Sequence, residues 1–178
     1  KMKKDAKIII AAGGTGGHIF PGIAIAEEIR RVYPYAIITF AGTKRGLETK
    51  IIPRLGWHLD LINSSSIKDR KGLGRVFAWM KLPFSIAQCI SLIFKKEPDL
   101  LISIGGYAAG PFMMAALISK VPFVLVEPNA IAGFANKLVG RFAKIAFVPF
   151  EQTKKYFSKT KVVLSGNPVR DEILKIRH

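Results

Sequence analysis

A chain of 178 residues, 49% of them hydrophobic, has the length of one domain and enough apolar content to bury a substantial core, which excludes a disordered tail. Its 28 Lys and Arg against 12 Asp and Glu leave a formal charge of +16, so an anionic partner is expected: nucleic acid, an acidic lipid surface or a phosphorylated substrate. The single cysteine, Cys89, excludes an intrachain disulfide and reads as a small core residue in a reducing compartment.

Ile8 to Ala12 reads as a buried strand, and residues 13–17, four of them glycine, turn the chain into a helix whose apolar pattern starts at Ile19 and runs to Val32. Without Cβ atoms at Gly13, Gly14, Gly16 and Gly17, the loop can turn its N–H groups to an anion at the positive end of that helix. Phosphate is the expected guest. His18 sits at the mouth of the turn and is the candidate general base. The loop is not a Walker motif, because no lysine follows Gly13 at the required place. Nor does it fit a dinucleotide fingerprint, since Ile19 stands where a small residue is needed and the second strand ends in Ala41-Gly42 without an acid.

A second strand spans Ala36 to Ala41, a loop 42–46, a short helix Leu47 to Leu55 and a third strand Trp57 to Ile62. Residues 63–74 form a basic loop with Lys68, Arg70 and Lys71, and Arg75 opens a helix that runs to Lys95. Pro83 is expected to kink that helix or break it in two. Phe77, Trp79, Met80, Leu82 and Phe84, with Lys81 among them, exceed one buried stripe. One reading packs one face on the sheet with the aromatics closing the core edge. The other makes a membrane-facing patch rimmed by Lys and Arg, where each charge contributes about 1 kcal/mol and each buried aromatic roughly 2.

Asp99 to Ile104 is a fourth strand, and Gly105-Gly106-Tyr107-Ala108-Ala109-Gly110-Pro111 repeats the strand-to-glycine-to-helix design of the first turn. Glycines and Pro111 interrupt the uncharged stretch Leu100 to Ser119, which therefore reads as strand, turn and helix and not as a membrane span. Two such turns at the carboxyl ends of parallel strands can border one cleft and grip one diphosphate. Further strands at Val121 to Val126, Lys144 to Val148 and Val162 to Leu164 alternate with helices at Ile131 to Phe142 and Phe150 to Phe157. The alternation implies an α/β fold, a Rossmann-like, mainly parallel sheet with helices on both faces. No metal-spaced Cys/His cluster and no serine-hydrolase elbow is present, and basic residues 1–7 precede an apolar run too short for a signal peptide, so a cytoplasmic location is expected.

Four ordered stretches resemble the N-terminal half of the MurG family of bacterial glycosyltransferases. They are Gly13-Gly14-Thr15-Gly16-Gly17-His18-Ile19-Phe20-Pro21, Gly105-Gly106-Tyr107 with Gly110-Pro111, Glu127-Pro128-Asn129-Ala130-Ile131-Ala132-Gly133, and Gly166-Asn167-Pro168-Val169-Arg170. The resemblance implies the N-terminal domain of a GT-B transferase, which moves N-acetylglucosamine from UDP-GlcNAc to lipid I to give lipid II in peptidoglycan synthesis, without metal or cofactor. It implies residues 1–165 as the acceptor-binding domain, 166–178 as the start of a linker, and a donor-binding domain beyond, without which the chain is expected to be inactive. Thr15, Gly16, Gly17, Asn129 and Arg170 are implied to meet the UDP-sugar, with Glu127 in a supporting role. The N–H groups of both glycine loops, at Gly13, Gly14, Gly105, Gly106 and Tyr107, suit the acceptor diphosphate. The implied setting is peripheral, on the cytoplasmic face of the cell membrane, with an anionic lipid surface and other cell-wall synthesis proteins as partners.

Two departures stand out: Val126-Glu127-Pro128-Asn129 where the family usually has His-Glu-Gln-Asn, and Ser103-Ile104-Gly105-Gly106 where it often has Gly-Met-Gly-Gly. Alternatives at this point are a GT-B enzyme with another glycolipid acceptor, an epimerase-like relative, and a membrane-recruiting half of a split transferase. A nucleic-acid binder rests on charge alone.

Overall fold

The computed structural model describes residues 3–64 and 73–169, with residues 73–79 described by their backbone alone. The strands are β1 (Lys7–Ala12), β2 (Ile37–Thr43), β3 (His58–Ile62), β4 (Leu100–Gly105), β5 (Phe123–Val126), β6 (Ala146–Val148) and β7 (Val162–Leu164). They form one sheet in the order β3-β2-β1-β4-β5-β6-β7, and every neighbouring pair is parallel. The helices are α1 (Gly16–Val32), α2 (Glu48–Arg54), α3 (Leu73–Lys96), α4 (Ala109–Ile118) and α5 (Phe134–Val139). A 3-10 turn follows at Gly140–Phe142 and a 3-10 helix at Glu151–Phe157.

The central strands are buried on both faces because they are apolar at successive positions, and the period-2 pleat sorts them into two cores. Ile8, Ile10 and Ala12 of β1 pack with Ile19, Ile23 and Ala26 of α1, together with Phe40, Trp57 and Ile104. Ile9 and Ala11 face the opposite way, onto Cys89 and Ile93 of α3 and Phe112 and Met113 of α4. Between β1 and β4 the register shifts at Ala11 and Ala12, so that Ala12 pairs with Gly105 after Ala11 pairs with Ser103. That extra residue re-aims the end of β4 where the glycine turn begins.

Several expected bounds are revised. Gly16 and Gly17 are the first residues of α1, not loop, because Thr15 is extended and caps the helix, and its carbonyl accepts the His18 and Ile19 N–H groups at 3.1 and 3.2 Å. The break expected at Pro83 does not occur: α3 is one helix through it. Proline removes one backbone donor, but the neighbouring turns are held from outside, where Ser85 Oγ donates to the Asn63 carbonyl at 2.5 Å and Asn63 N–H donates to Gln88 Oε1 at 2.9 Å. The expected helix 131–142 starts only at Phe134, since residues 127–133 are tied to Glu127, and residues 151–157 are 3-10 and not α.

The packing reading of α3 holds for one face, where Cys89 is fully buried. Desolvation pushes its thiol far above the ordinary range, so the nucleophilic thiolate is scarce. Maleimide labelling of the native chain is expected to be slower by orders of magnitude than labelling in denaturant. Comparable rates, followed by mass spectrometry, would show that the core at Cys89 opens readily. No helix among the described residues is long and apolar enough to cross a membrane.

Candidate active site

Strand β1 leads to β2 on one side and β4 leads to β5 on the other, so the pair β1–β4 is the topological switch point of the sheet. Crevices for ligands open at the carboxyl ends of such a pair. Here the two glycine turns touch. Gly106, at φ +86, lies so close to Gly13 that a Cβ would collide with the Gly13 carbonyl, and the Tyr107 ring lies 3.8 Å from where a Cβ on Gly14 would stand. The two glycine turns that were expected to border one cleft are therefore in direct contact.

His18 is seated between them in the first turn of α1. Its Nδ1 lies 3.3 Å from Thr15 Oγ1, and its ring edge packs against Gly105, where any side chain would strike it. Burial pushes its pKa below 6.5 and outweighs two opposing influences, the negative charge of Glu127 and a hydrogen bond to the Gly13 backbone. The imidazole is thus neutral near pH 7 and able to accept a proton. No acidic residue stands in the first turn of α1, and Gly16 and Gly17 occupy its first two positions, where N–H groups have no intrahelical acceptor. That end of the helix suits an anion.

Glu127 directly follows β5 and is 1% exposed. Its Oε1 accepts the Asn129 N–H at 3.1 Å and Asn129 Nδ2 at 2.9 Å, and its Oε2 accepts the Gly133 N–H and Asn136 Nδ2, both at 2.8 Å. The carboxylate therefore shapes the whole 127–136 connection while its charge bears on His18, which fits a supporting role. Asn129 is exposed, and its amide nitrogen is held by Glu127. Among the described residues the donors to Glu127 come from Asn129, Gly133 and Asn136, so neither Val126, a core residue, nor Pro128 takes part in these hydrogen bonds.

One expected donor is not available. The Gly14 N–H is already given to Glu48 Oε2 at 2.9 Å, so Gly14 contributes shape to the loop and not an anion contact. Sequence reasoning missed Glu48 and Asn136, both buried. The only signal for Glu48 was an acid following the basic 44–46 turn, and nothing in the local pattern marked Asn136.

Ser64, two residues past the end of β3, lies at the same end of the sheet, where its Oγ donates to the Tyr107 carbonyl at 2.8 Å. Beyond it α3 exposes Met80 (69%) and Phe84 (59%), with Lys81 exposed between them. The remaining patch residues cannot be placed with them: the side chains of Arg75, Phe77 and Trp79, and the whole of Lys68, Arg70 and Lys71, lie outside the described residues, as does Arg170.

Comparison with known proteins agrees with this architecture. A transferase from Syntrophus aciditrophicus, named UDP-N-acetylglucosamine--N-acetylmuramyl-(pentapeptide) pyrophosphoryl-undecaprenol N-acetylglucosamine transferase, is 44% identical over 164 residues, covering 92% of this chain and 45% of its own. The crystal structure of Acinetobacter baumannii MurG superposes with a TM-score of 0.76 at 25% identity, covering 93% of this chain and 46% of that one. A UDP-GlcNAc 2-epimerase from Neisseria meningitidis, at 14% identity and a TM-score of 0.65 over 90% of this chain and 46% of its own, shares the fold alone. The chain spans about half the length of the curated relatives it matches. The family described as the glycosyltransferase family 28 N-terminal domain matches residues 8–148, from the first strand through the sixth, and the chain belongs to that family.

Proposed function

We propose that this chain is the acceptor-binding half of an inverting transferase that moves N-acetylglucosamine from UDP-GlcNAc to lipid I, giving lipid II for peptidoglycan. The observation that carries the reading is the seating of a neutral His18 between two touching glycine turns, with Glu127 behind it. The Syntrophus relative is named for transfer to a pyrophosphoryl-undecaprenol acceptor, which supplies the substrate class. Residues 1–165 form the acceptor domain and residues 166–178 begin the linker to a donor domain.

In this reading His18 takes the proton of the acceptor hydroxyl as that oxygen attacks the anomeric carbon, and the bond from that carbon to the UDP oxygen breaks. Both glycine turns, through Gly13, Gly105, Gly106 and Tyr107, hold the acceptor diphosphate beside the α1 N-terminus. Thr15, Gly16, Gly17, Asn129 and Arg170 meet the UDP-sugar from this side of the cleft. Glu127 holds Asn129 in place and moderates the charge on His18.

The lipid tail of such an acceptor requires the site to sit at a bilayer. Exposed Met80 and Phe84 with Lys81, at the same end of the sheet as the glycine turns, form the described part of a peripheral membrane patch on the cytoplasmic face. Phe77, Trp79, Lys68, Arg70, Lys71 and Arg75 complete it in sequence. The +16 charge favours an anionic surface.

The test is co-sedimentation of this chain with anionic vesicles, with and without a lipid I analogue, at low and moderate salt. Expected is analogue-dependent retention that survives moderate salt and is lost when the Gly13–Gly17 turn is altered. Equal, salt-labile binding to all anionic vesicles would leave only a basic surface and remove the acceptor reading.

A further inference from the structure

Glu48 opens α2 and is fully buried, yet it makes no salt bridge among the described residues. A lone buried carboxylate is costly unless donors surround it, and here they come from the first glycine turn and the end of β2. Its Oε2 accepts the Gly14 N–H at 2.9 Å. Its Oε1 accepts the Thr43 N–H at 2.8 Å and the Thr43 hydroxyl at 3.0 Å. Three glycines make the space: a Cβ on Gly13 would come 2.5 Å from Oε1, one on Gly42 2.5 Å from the Glu48 Cγ, and one on Gly46 would overlap the carboxylate. Five residues, Gly42 and Thr43 at the end of β2, Gly46 in the turn that follows it, and Gly13 and Gly14 of the first glycine turn, are thus built around this one side chain.

We propose that Glu48 is a positioning residue for the anion site: by anchoring Gly14 to the end of β2 it sets the course of the first glycine turn and so the aim of the Gly16 and Gly17 N–H groups and of His18. The inference rests on the diphosphate reading above for its ligand, and on the loop geometry alone for its first measurement. The chemistry separates it from a mere charge effect. Glu48 is a negative charge close to a site for an anion, so if only charge mattered, neutralising it would tighten binding. As an anchor it acts in the opposite direction. A glutamine keeps the shape but offers one acceptor oxygen, and its NH2 must face a donor, either Gly14 or Thr43.

The experiment compares wild-type chain, Glu48→Gln and Thr43→Val by amide NMR without ligand, and then by titration with geranyl diphosphate, below each variant's thermal transition. In the free chain Glu48→Gln is expected to move the Gly13–Gly17 amide resonances, speed Gly14 hydrogen exchange at least tenfold and shift the His18 titration. Thr43→Val, which removes one donor and keeps the carboxylate, is expected to move the same resonances less, and it decides the matter should Glu48→Gln fail to fold. Unchanged Gly13–His18 signals in the folded variants would overturn the proposal. In the ligand arm, binding at least tenfold weaker in Glu48→Gln supports it, and tighter binding overturns it. Absence of binding by the wild-type chain would count against the diphosphate reading, with the loop measurement still deciding the role of Glu48.

Discussion

Replacing His18 by alanine in a full-length enzyme carrying this domain is expected to lower turnover by about 10²–10⁴-fold, the range for removing a positioned general base. The wild-type acid limb should reflect His18. Its pKa is pushed below 6.5 by burial, so kcat/KM should stay level through neutral pH and fall only below that value, as the imidazole becomes protonated and can no longer accept. In His18→Ala that limb should vanish. Near-normal turnover with an unchanged pH profile would move the histidine to a binding role. The same shift has a stability consequence with a definite sign. The unfolded chain binds the proton more readily than the folded one, so the contribution of neutral His18 to stability is complete above the unfolded pKa. It is lost as pH falls from there through the lowered folded pKa.

Glu127→Ala is expected to destabilise the chain by about 3 kcal/mol in urea unfolding. It strands donors from Asn129, Gly133 and Asn136, and an unpaired buried polar group costs about 1–3 kcal/mol. Buried Asn136 carries most of this, because water can replace the carboxylate at the exposed Gly133 and Asn129. The milder Glu127→Gln tests the electrostatic part. Glu127 raises the His18 pKa against the effect of burial, so its neutralisation should lower the histidine titration midpoint further, as read by NMR. A midpoint that does not move would reduce Glu127 to a staple of the 127–136 connection.

These two residues also show where chain reading succeeds and where it stops. His18 was legible because the glycines beside it mark a helix N-terminus, and the position of an ionisable group there is a local fact. Its neutrality was not, since that depends on burial against Gly105 and on the balance with Glu127, more than a hundred residues away. A kink or a break at Pro83 was expected from the proline alone. The helix is not broken there, because Asn63, which donates to Gln88 and accepts from Ser85, secures the turns that the missing donor weakens. Gly14 was expected to offer its N–H to phosphate, and no local pattern revealed that Glu48 already holds it.

By itself the sequence determined the alternation of apolar strands and helices, hence a parallel sheet covered on both faces, because hydrophobic periodicity and glycine or proline punctuation act over a few residues. It also determined the two glycine turns and the family they belong to. Only the tertiary structure decided that β1 and β4 are neighbours, so that the turns touch. It also decided that the Gly14 N–H is taken, and that the buried polar residues Glu48, Glu127 and Asn136 tie the first glycine turn, the end of β2 and the 127–136 connection by hydrogen bonds. Buried hydrogen-bond partners are assigned across the fold by proximity, and proximity between distant segments has no signature in the order of the residues.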